Sequence, residues 1–325
     1  MLEVNKTDPL THGLIGAALA TLSGHPLQLN DPVFLGCTLG SMLPDLDIVA
    51  HVKGRLNYLL KHRGVSHSLI AFTGMSLGLS AILYAIFPTT SWSSIFLWTL
   101  VGTLSHGLLD VLNSFGTELL WPFFRKKFTV NMIMLTDPVV FSLFLGSLII
   151  SYNLPNVAQE STITTFILGA LYLAYREKGR VKVRNDLMSV YHLKDKGEVK
   201  VLPAMYRPFS WNFLLLQKNF VRFGTMRHQT PVILRVLPQW DNDDPLVLSA
   251  LEGNLAELFE QFTPYYHLVT EQGANDSCKV EFLDLRYWNK GNFLYSGQLV
   301  VNEDGEISEE IFYSAPNQEG ILLSY

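Results

Sequence analysis

From Ser68 to Leu109 the chain carries no Asp, Glu, Lys or Arg. A charge-free run of this length must be shielded from water almost throughout, and its one clear punctuation is the link Pro88-Thr89-Thr90. Ser68 to Phe87 supplies twenty residues, enough at about 1.5 Å per residue to cross a hydrocarbon layer of roughly 30 Å. Ser91 to Leu109 supplies a second span, and the short link makes the pair an antiparallel hairpin. Pro138 to Leu154 and Ser161 to Tyr175 predict a further hairpin, with Pro155 in its connection. Leu10 to Ser23 and Val33 to Leu43 are apolar and rich in small residues but short, which predicts half-inserted, re-entrant or tilted helices.

A chain of 325 residues exceeds one ordinary core and predicts two units. Beyond Tyr175 the charge density becomes that of a soluble domain. The fold expected is therefore a multi-pass α-helical membrane domain over residues 1–178 followed by a soluble α+β domain over 179–325. Lys53, Arg55, Lys61 and Arg63 precede the first strong span, Arg125, Lys126 and Lys127 separate the hairpins, and Arg176, Lys178, Arg180, Lys182 and Arg184 follow the last. The links near Pro88 and Pro155 carry neither Lys nor Arg, so the positive-inside rule places the basic loops and the C-terminal domain in the cytoplasm.

A net charge of −5 offers no concentrated basic surface and argues against nucleic acid as a partner. Cys37 and Cys278 lie far apart without CxxC spacing, so neither a disulfide framework nor a thiolate zinc site is expected. Glu3, Asp8 and His12 fall where a secretory leader would be basic or apolar, which predicts insertion without cleavage.

Chemistry-bearing residues gather at the mouths of the apolar segments: His12, Asp45 and Asp47, His62 and His67, His106 and Asp110, and Asp137. Ionisable groups near hydrocarbon need a partner, a proton relay or a metal. His67 lies 21 residues before Pro88 and His106 18 residues after it, so both sit about 30 Å from the same turn, at one depth on the cytoplasmic side. Asp110 is one helical turn beyond His106 on the same face, and Asp137 opens the next span from that side.

Each piece alone has a plainer reading. An isolated HxxxD pair also arises by chance. His62 and His67 bracket an Arg-Gly-Val-Ser turn that is either a headgroup anchor or a pair of imidazoles with Arg63 as an anion holder. Asp45 and Asp47 are either loop acids or a carboxylate pair for divalent ions. His12 and Asp137 stand where helix caps stand. His25, His51, His192, His228 and His267 have no comparable context.

The segments DPLTHGLIGAA, LGSMLPDLD, HRGVSHS, LSHGLLD and TDP, in this order among hydrophobic spans, resemble the bacterial inner-membrane family described as membrane-bound metal-dependent hydrolases, the YdjM-like proteins. The resemblance covers about the first 175 residues. It implies a multi-pass protein of the bacterial inner (cytoplasmic) membrane and a divalent-metal site. The motif positions are His12, Asp45, Asp47, His62, His67, His106 and Asp110, with Asp137 a further member, and all are filled.

The C-terminal part shows short β-rich segments at Val199–Leu202, Trp211–Leu216, Val221–Met226, Val232–Leu237, Val280–Tyr287, Phe293–Val301 and Glu306–Tyr313. Asn302-Glu303-Asp304-Gly305 is a turn signal, and Leu246–Phe262 reads as one amphipathic helix. Tyr206, Arg207 and Trp211 read either as packing and loop residues or as residues that reach the membrane surface or a substrate headgroup. No phosphate loop or nucleophile elbow appears, and a structural, regulatory or substrate-presenting module is expected.

The function expected is a metal-dependent hydrolase at the cytoplasmic face, acting on membrane lipids or a lipid-linked phosphoester. Asp45, Asp47, His67, His106, Asp110 and Asp137 are the metal ligands, zinc is the leading ion, and one or two ions are held. His62 and His12 complete the coordination or transfer a proton, and Arg63 holds the anionic group. Two other classes use the same residues: a transporter passing protons or metal, and a scaffold with a structural metal. The oligomeric state has no signature in the sequence.

Overall fold

The computed structural model describes residues 8–46, 64–272, 278–302, 306–314 and 320–323. The chain divides into two compact units, Met1–Lys178 and Gly179–Tyr325.

In the first unit, α1 (Asp8–Thr21) and α2 (Pro32–Gly40) form a helical hairpin. Asp31 fixes the start of α2, its Oδ1 accepting from the amides of Val33 and Phe34 at 2.9 and 2.8 Å, with Pro32 at the first helical position. A 3₁₀ turn, Val65–His67, leads into α3 (Leu69–Ile86), whose cap is Ser68. Then follow α4 (Trp92–Leu112), α5 (Pro138–Asn153) and the 33-residue α6 (Ala158–Val190), within which the division between the units falls.

Both α3 and α4 have the length and apolar composition to cross a membrane. On α3 the apolar side chains of Ile70, Leu77, Ile82 and Ile86 are exposed, which suits lipid rather than water. The expected second membrane hairpin is different. At 16 residues α5 is shorter, about 24 Å. The stretch read as Ser161–Tyr175 is the early part of α6, which runs on through Arg176–Arg184 instead of ending there.

Small residues let α1, α2 and α4 approach closely. A Cβ at Gly102 would collide with the Cys37 carbonyl, and one at Gly16 with the Ser41 side chain. Between α3 and α4, Ser76 and Thr103 pair through their hydroxyls at 3.0 Å. A second core joins Ile15 and Ala18 of α1 to Val140 and Phe144 of α5 and Tyr172 of α6.

In the second unit, β1 (Val199–Pro203), β2 (Trp211–Leu216), β3 (Phe220–Arg227) and β4 (Thr230–Pro238) form an antiparallel meander. After α7 (Pro245–Leu251) and α8 (Asn254–Phe262) come β5 (Tyr266–Gln272), β6 (Cys278–Asp284), a short hairpin of β7 (Trp288–Asn289) and β8 (Asn292–Phe293), then β9 (Ser296–Val301), β10 (Ile307–Tyr313) and β11 (Ile321–Leu322). The five-stranded sheet has the order β11-β10-β9-β6-β5, antiparallel throughout.

Strand β2 is buried on both faces because its side chains alternate. Trp211, Phe213 and Leu215 pack with Val183 and Leu187 of α6, and Leu214 packs with Val221, Phe223 and Leu283. On the five-stranded sheet, the ring of Phe259 of α8 meets Phe282 at a tilt and Phe312 edge-on.

The single helix expected over Leu246–Phe262 is two, broken at Gly253. The cause is remote in sequence. Glu310 of β10 is fully buried and reaches the start of α8, its Oε1 accepting from the Leu255 amide at 3.0 Å and its Oε2 from Asn254 Nδ2 at 3.0 Å. A Cβ at Gly253 would strike that carboxylate. Gly253 itself contributes no side-chain cap, so Glu310 takes the cap's place and complements the helix dipole. Two further expectations are corrected. Tyr266–Gln272 is a strand absent from the sequence reading, and the segment Phe293–Val301 is divided between β8 and β9. Glu303–Gly305 of the expected turn lie outside the described residues.

Glu310→Ala leaves the Leu255 amide buried without its acceptor, and the expected cost is about 1–3 kcal/mol. Glu310→Gln keeps an acceptor oxygen and should lose less. Chemical denaturation followed by tryptophan emission checks the ranking.

Candidate metal centre

Four elements deliver side chains to one point. His106 and Asp110 project from α4, His67 ends the 3₁₀ turn before α3, Asp45 follows α2, and His12 lies on α1. His67, His106 and Asp110 are fully buried, and His12 and Asp45 nearly so.

The Nε2 atoms of His67 and His106 face one another at 3.0 Å. Asp110 Oδ2 lies 3.4 Å from each of them, and Asp45 Oδ1 lies 3.5 Å from His67 Nε2 and 3.6 Å from His106 Nε2. A tetrahedral ion with bonds of about 2.0–2.1 Å has ligand-to-ligand edges of about 3.3–3.4 Å. The measured edges bracket that value. The His12 ring stacks on His106 with centroids 3.7 Å apart, and its Nε2 is 3.6 Å from Asp110 Oδ1. Asp110 thus turns one oxygen to the His67–His106 pair and the other to His12.

The outer edges of the rings are fixed. His106 Nδ1–H donates to the Ser41 carbonyl at 2.8 Å, which directs the Nε2 lone pair of the neutral ring inward. His67 Nδ1 pairs with Ser66 Oγ at 2.9 Å. Thr117 Oγ1 donates to the His67 carbonyl at 3.0 Å, and Asn113 Nδ2 to Asp110 Oδ1 at 3.3 Å. Burial alone would push the Asp45 carboxyl up, but the His67 hydrogen bond and the facing imidazoles of His106 and His12 outweigh it and hold Asp45 below the usual carboxylate range.

Two carboxylates and three imidazoles converging in a buried space require cationic charge among them. The buried Asp45 Oδ2 has no hydrogen-bond partner among the described residues. Mixed nitrogen and oxygen donors at these spacings fit a divalent ion. Two groupings could hold one: Asp45, His67 and His106, and His12, His106 and Asp110.

Asp137, expected as a ligand, is a correction. Its Oδ1 caps α5, accepting from the amides of Val139 and Val140, and its Oδ2 accepts from the Tyr172 hydroxyl at 2.8 Å. It belongs to neither grouping. Asp47, His62 and Arg63 lie outside the described residues. Sequence reasoning missed Ser41, which acts through its backbone and has no side-chain signature. It also missed Asn113, whose position one turn beyond Asp110 was the available signal.

Residues 8–182 match the YdjM inner membrane protein family, and residues 245–314 match the YfhP C-terminal alpha/beta plait domain. The chain is 27% identical over 309 residues to the uncharacterized protein YfhP of Bacillus subtilis (strain 168), covering 91% of this chain and 92% of that one. No solved structure matches.

Purified protein is expected to carry near-stoichiometric divalent metal by plasma mass spectrometry, and His67→Ala, His106→Ala and Asp45→Asn to lose it. Asp137→Ala should keep its metal while losing about 0.5–2 kcal/mol of stability through α5. Metal loss in that variant would return Asp137 to the ligand set.

Proposed function

The chain belongs to the YdjM inner membrane protein family, and on that premise we propose that it is a metal-dependent hydrolase at the cytoplasmic face of the inner membrane, acting on a lipid or lipid-linked phosphoester. The observation that carries this reading is the convergence of His67 Nε2, His106 Nε2, Asp45 Oδ1 and Asp110 Oδ2 within 3.0–3.6 Å contacts at one end of two apolar helices.

A divalent ion, zinc in our reading, supplies a bound water of lowered pKa and polarises the scissile group. The residues around it have separable tasks. His67 and His106 present lone pairs held in register by their outer hydrogen bonds. Asp45, the least buried of the set and held ionised by the imidazoles around it, would offer a carboxylate oxygen to the ion and has the other uncommitted among the described residues. His12, stacked on His106 and beside Asp110, would complete the coordination or take the proton from the attacking water. In this reading His62 completes the coordination or transfers a proton, Arg63 holds the anion, Asp47 is a further ligand, and the second unit is a structural, regulatory or substrate-presenting module.

One observation favours a second reading. His67, His106 and Asp110 have no solvent exposure, as in a structural metal site. A transport path is less well supported, because the buried hydroxyls of α3 and α4 close their own helices: Ser76 donates to Phe72 O, Ser80 to Leu77 O, Thr99 to Ile95 O and Thr103 to Leu100 O.

Metal-loaded protein in mixed micelles is expected to release inorganic phosphate from lipid phosphomonoesters, or an alcohol and a phosphomonoester from lipid phosphodiesters, and to stop on chelation. His12→Gln should lower kcat by about 10²–10⁴-fold, with the metal kept where His12 transfers the proton and lost where it completes the coordination. Full metal occupancy with no turnover across the lipid panel, and unfolding on chelation, would establish the structural reading instead.

A further inference from the structure

The segment from Thr117 to Phe128 is a closed loop with an unusual surface. Its ends pair, Thr117 N–H to Phe128 O at 3.2 Å and Phe128 N–H to Thr117 O at 2.9 Å. Gly116 before it has φ +67°, and a Cβ there would collide with the Phe128 carbonyl, so the closure depends on glycine. Within the loop, the amides of Phe123 and Phe124 both donate to the Leu120 carbonyl, at 3.0 and 3.1 Å. This backbone holds Phe123 at 79% and Phe124 at 61% exposure. Arg125 and Lys126, next in line, are also exposed, and Lys127 is half-buried. Among these residues the carboxylate is Glu118, at the loop's base and partly buried.

The loop is also tied to the bundle at a defined level. Leu69 N–H donates to Leu119 O at 3.0 Å, and Thr117 Oγ1 donates to His67 O. Leu69 is the first residue of the 18-residue apolar helix α3, so the loop stands where a hydrocarbon span meets the headgroups. Two phenylalanines raised beside three cations at that level match an anionic lipid surface in both respects: rings for the acyl boundary, cations for phosphate. Left in water they would be an apolar patch without a purpose in the fold.

We infer that the Phe123–Lys127 loop is a docking site for anionic phospholipid, with Phe123 and Phe124 inserted at the acyl boundary and Arg125, Lys126 and Lys127 taking the headgroup phosphate. This goes beyond the hydrolase reading and does not depend on turnover. Because the loop is bonded to the carbonyl of His67 and to the residue after Ser68, a docked lipid also braces the turn that carries a metal ligand.

The test uses the full chain in nanodiscs, with Cys37 and Cys278 replaced and a nitroxide attached through Phe123→Cys. Discs of neutral phosphatidylcholine are compared with discs containing phosphatidylglycerol. The expected result is several-fold greater collision with oxygen than with a water-soluble nickel complex in the anionic discs, reduced in neutral discs. Arg125→Gln, Lys126→Gln and Lys127→Gln together should erase the difference between lipids while elution and helix content stay unchanged. A label in water in both discs overturns the inference and leaves the loop to a protein partner. A label equally buried in both overturns the anionic recognition. Both readouts are independent of metal content and catalysis, so failure here and failure of the hydrolase reading are separately visible.

Discussion

The hydrogen bond from His106 Nδ1 to the Ser41 carbonyl is the contact on which the candidate centre depends. It requires α2 and α4 to approach at backbone distance, which Gly102 permits against the Cys37 carbonyl and Gly40 against the Thr99 carbonyl, while Gly16 lets α1 close against Ser41. With the ring locked, its inner nitrogen has one direction to point, and His67, Asp45 and Asp110 share that point. Packing of small residues and presentation of metal ligands are therefore one problem in this bundle. A larger residue at Gly102 would disturb the centre without touching a ligand.

The second unit relies on the same device at longer range. Glu310 crosses from a strand to finish a helix that cannot cap itself, and Arg286 and Asp284 form a fully buried pair with Nη2 to Oδ2 at 2.8 Å, Thr263 adding a hydroxyl to Asp284 at 2.9 Å. Buried charges of this kind stand because each is paired and hydrogen-bonded. They fix how α8 and the turn after β6 sit on the sheet, where apolar packing alone would allow sliding.

Much of this was legible in the sequence because it is local or periodic. Uninterrupted apolar runs marked α3 and α4, and the helical rise put His67 and His106 at one depth before their nitrogens were seen 3.0 Å apart. Short runs of β-branched and aromatic residues marked β1 to β4. What was not legible is non-local. The break at Gly253 is dictated by a glutamate in β10. Asp137 carried the residue type of a ligand and the position of a cap, and only Tyr172, from the following helix, shows that both its oxygens are committed. The length of α6 was hidden because a change from apolar to basic composition resembles a boundary, while helix propensity continues across it. His12 had the position of a cap and the residue type of a ligand or proton carrier, and only the packing of α1 shows its ring laid on His106.

Ser41 ends α2, and its carbonyl is one of those a helix terminus leaves without an internal partner. The His106 ring meets that need. Side-chain replacement at position 41 cannot delete this acceptor, so a scan of single substitutions would pass over it, provided the new side chain still clears Gly16. Lengthening or shortening α2 by one residue is another matter: it turns the final carbonyl by about 100° around the helix axis. The tolerance of this centre is thus set by reading frame along a nine-residue helix, and insertions or deletions between Pro32 and Gly40 form the class of change to which it is most vulnerable.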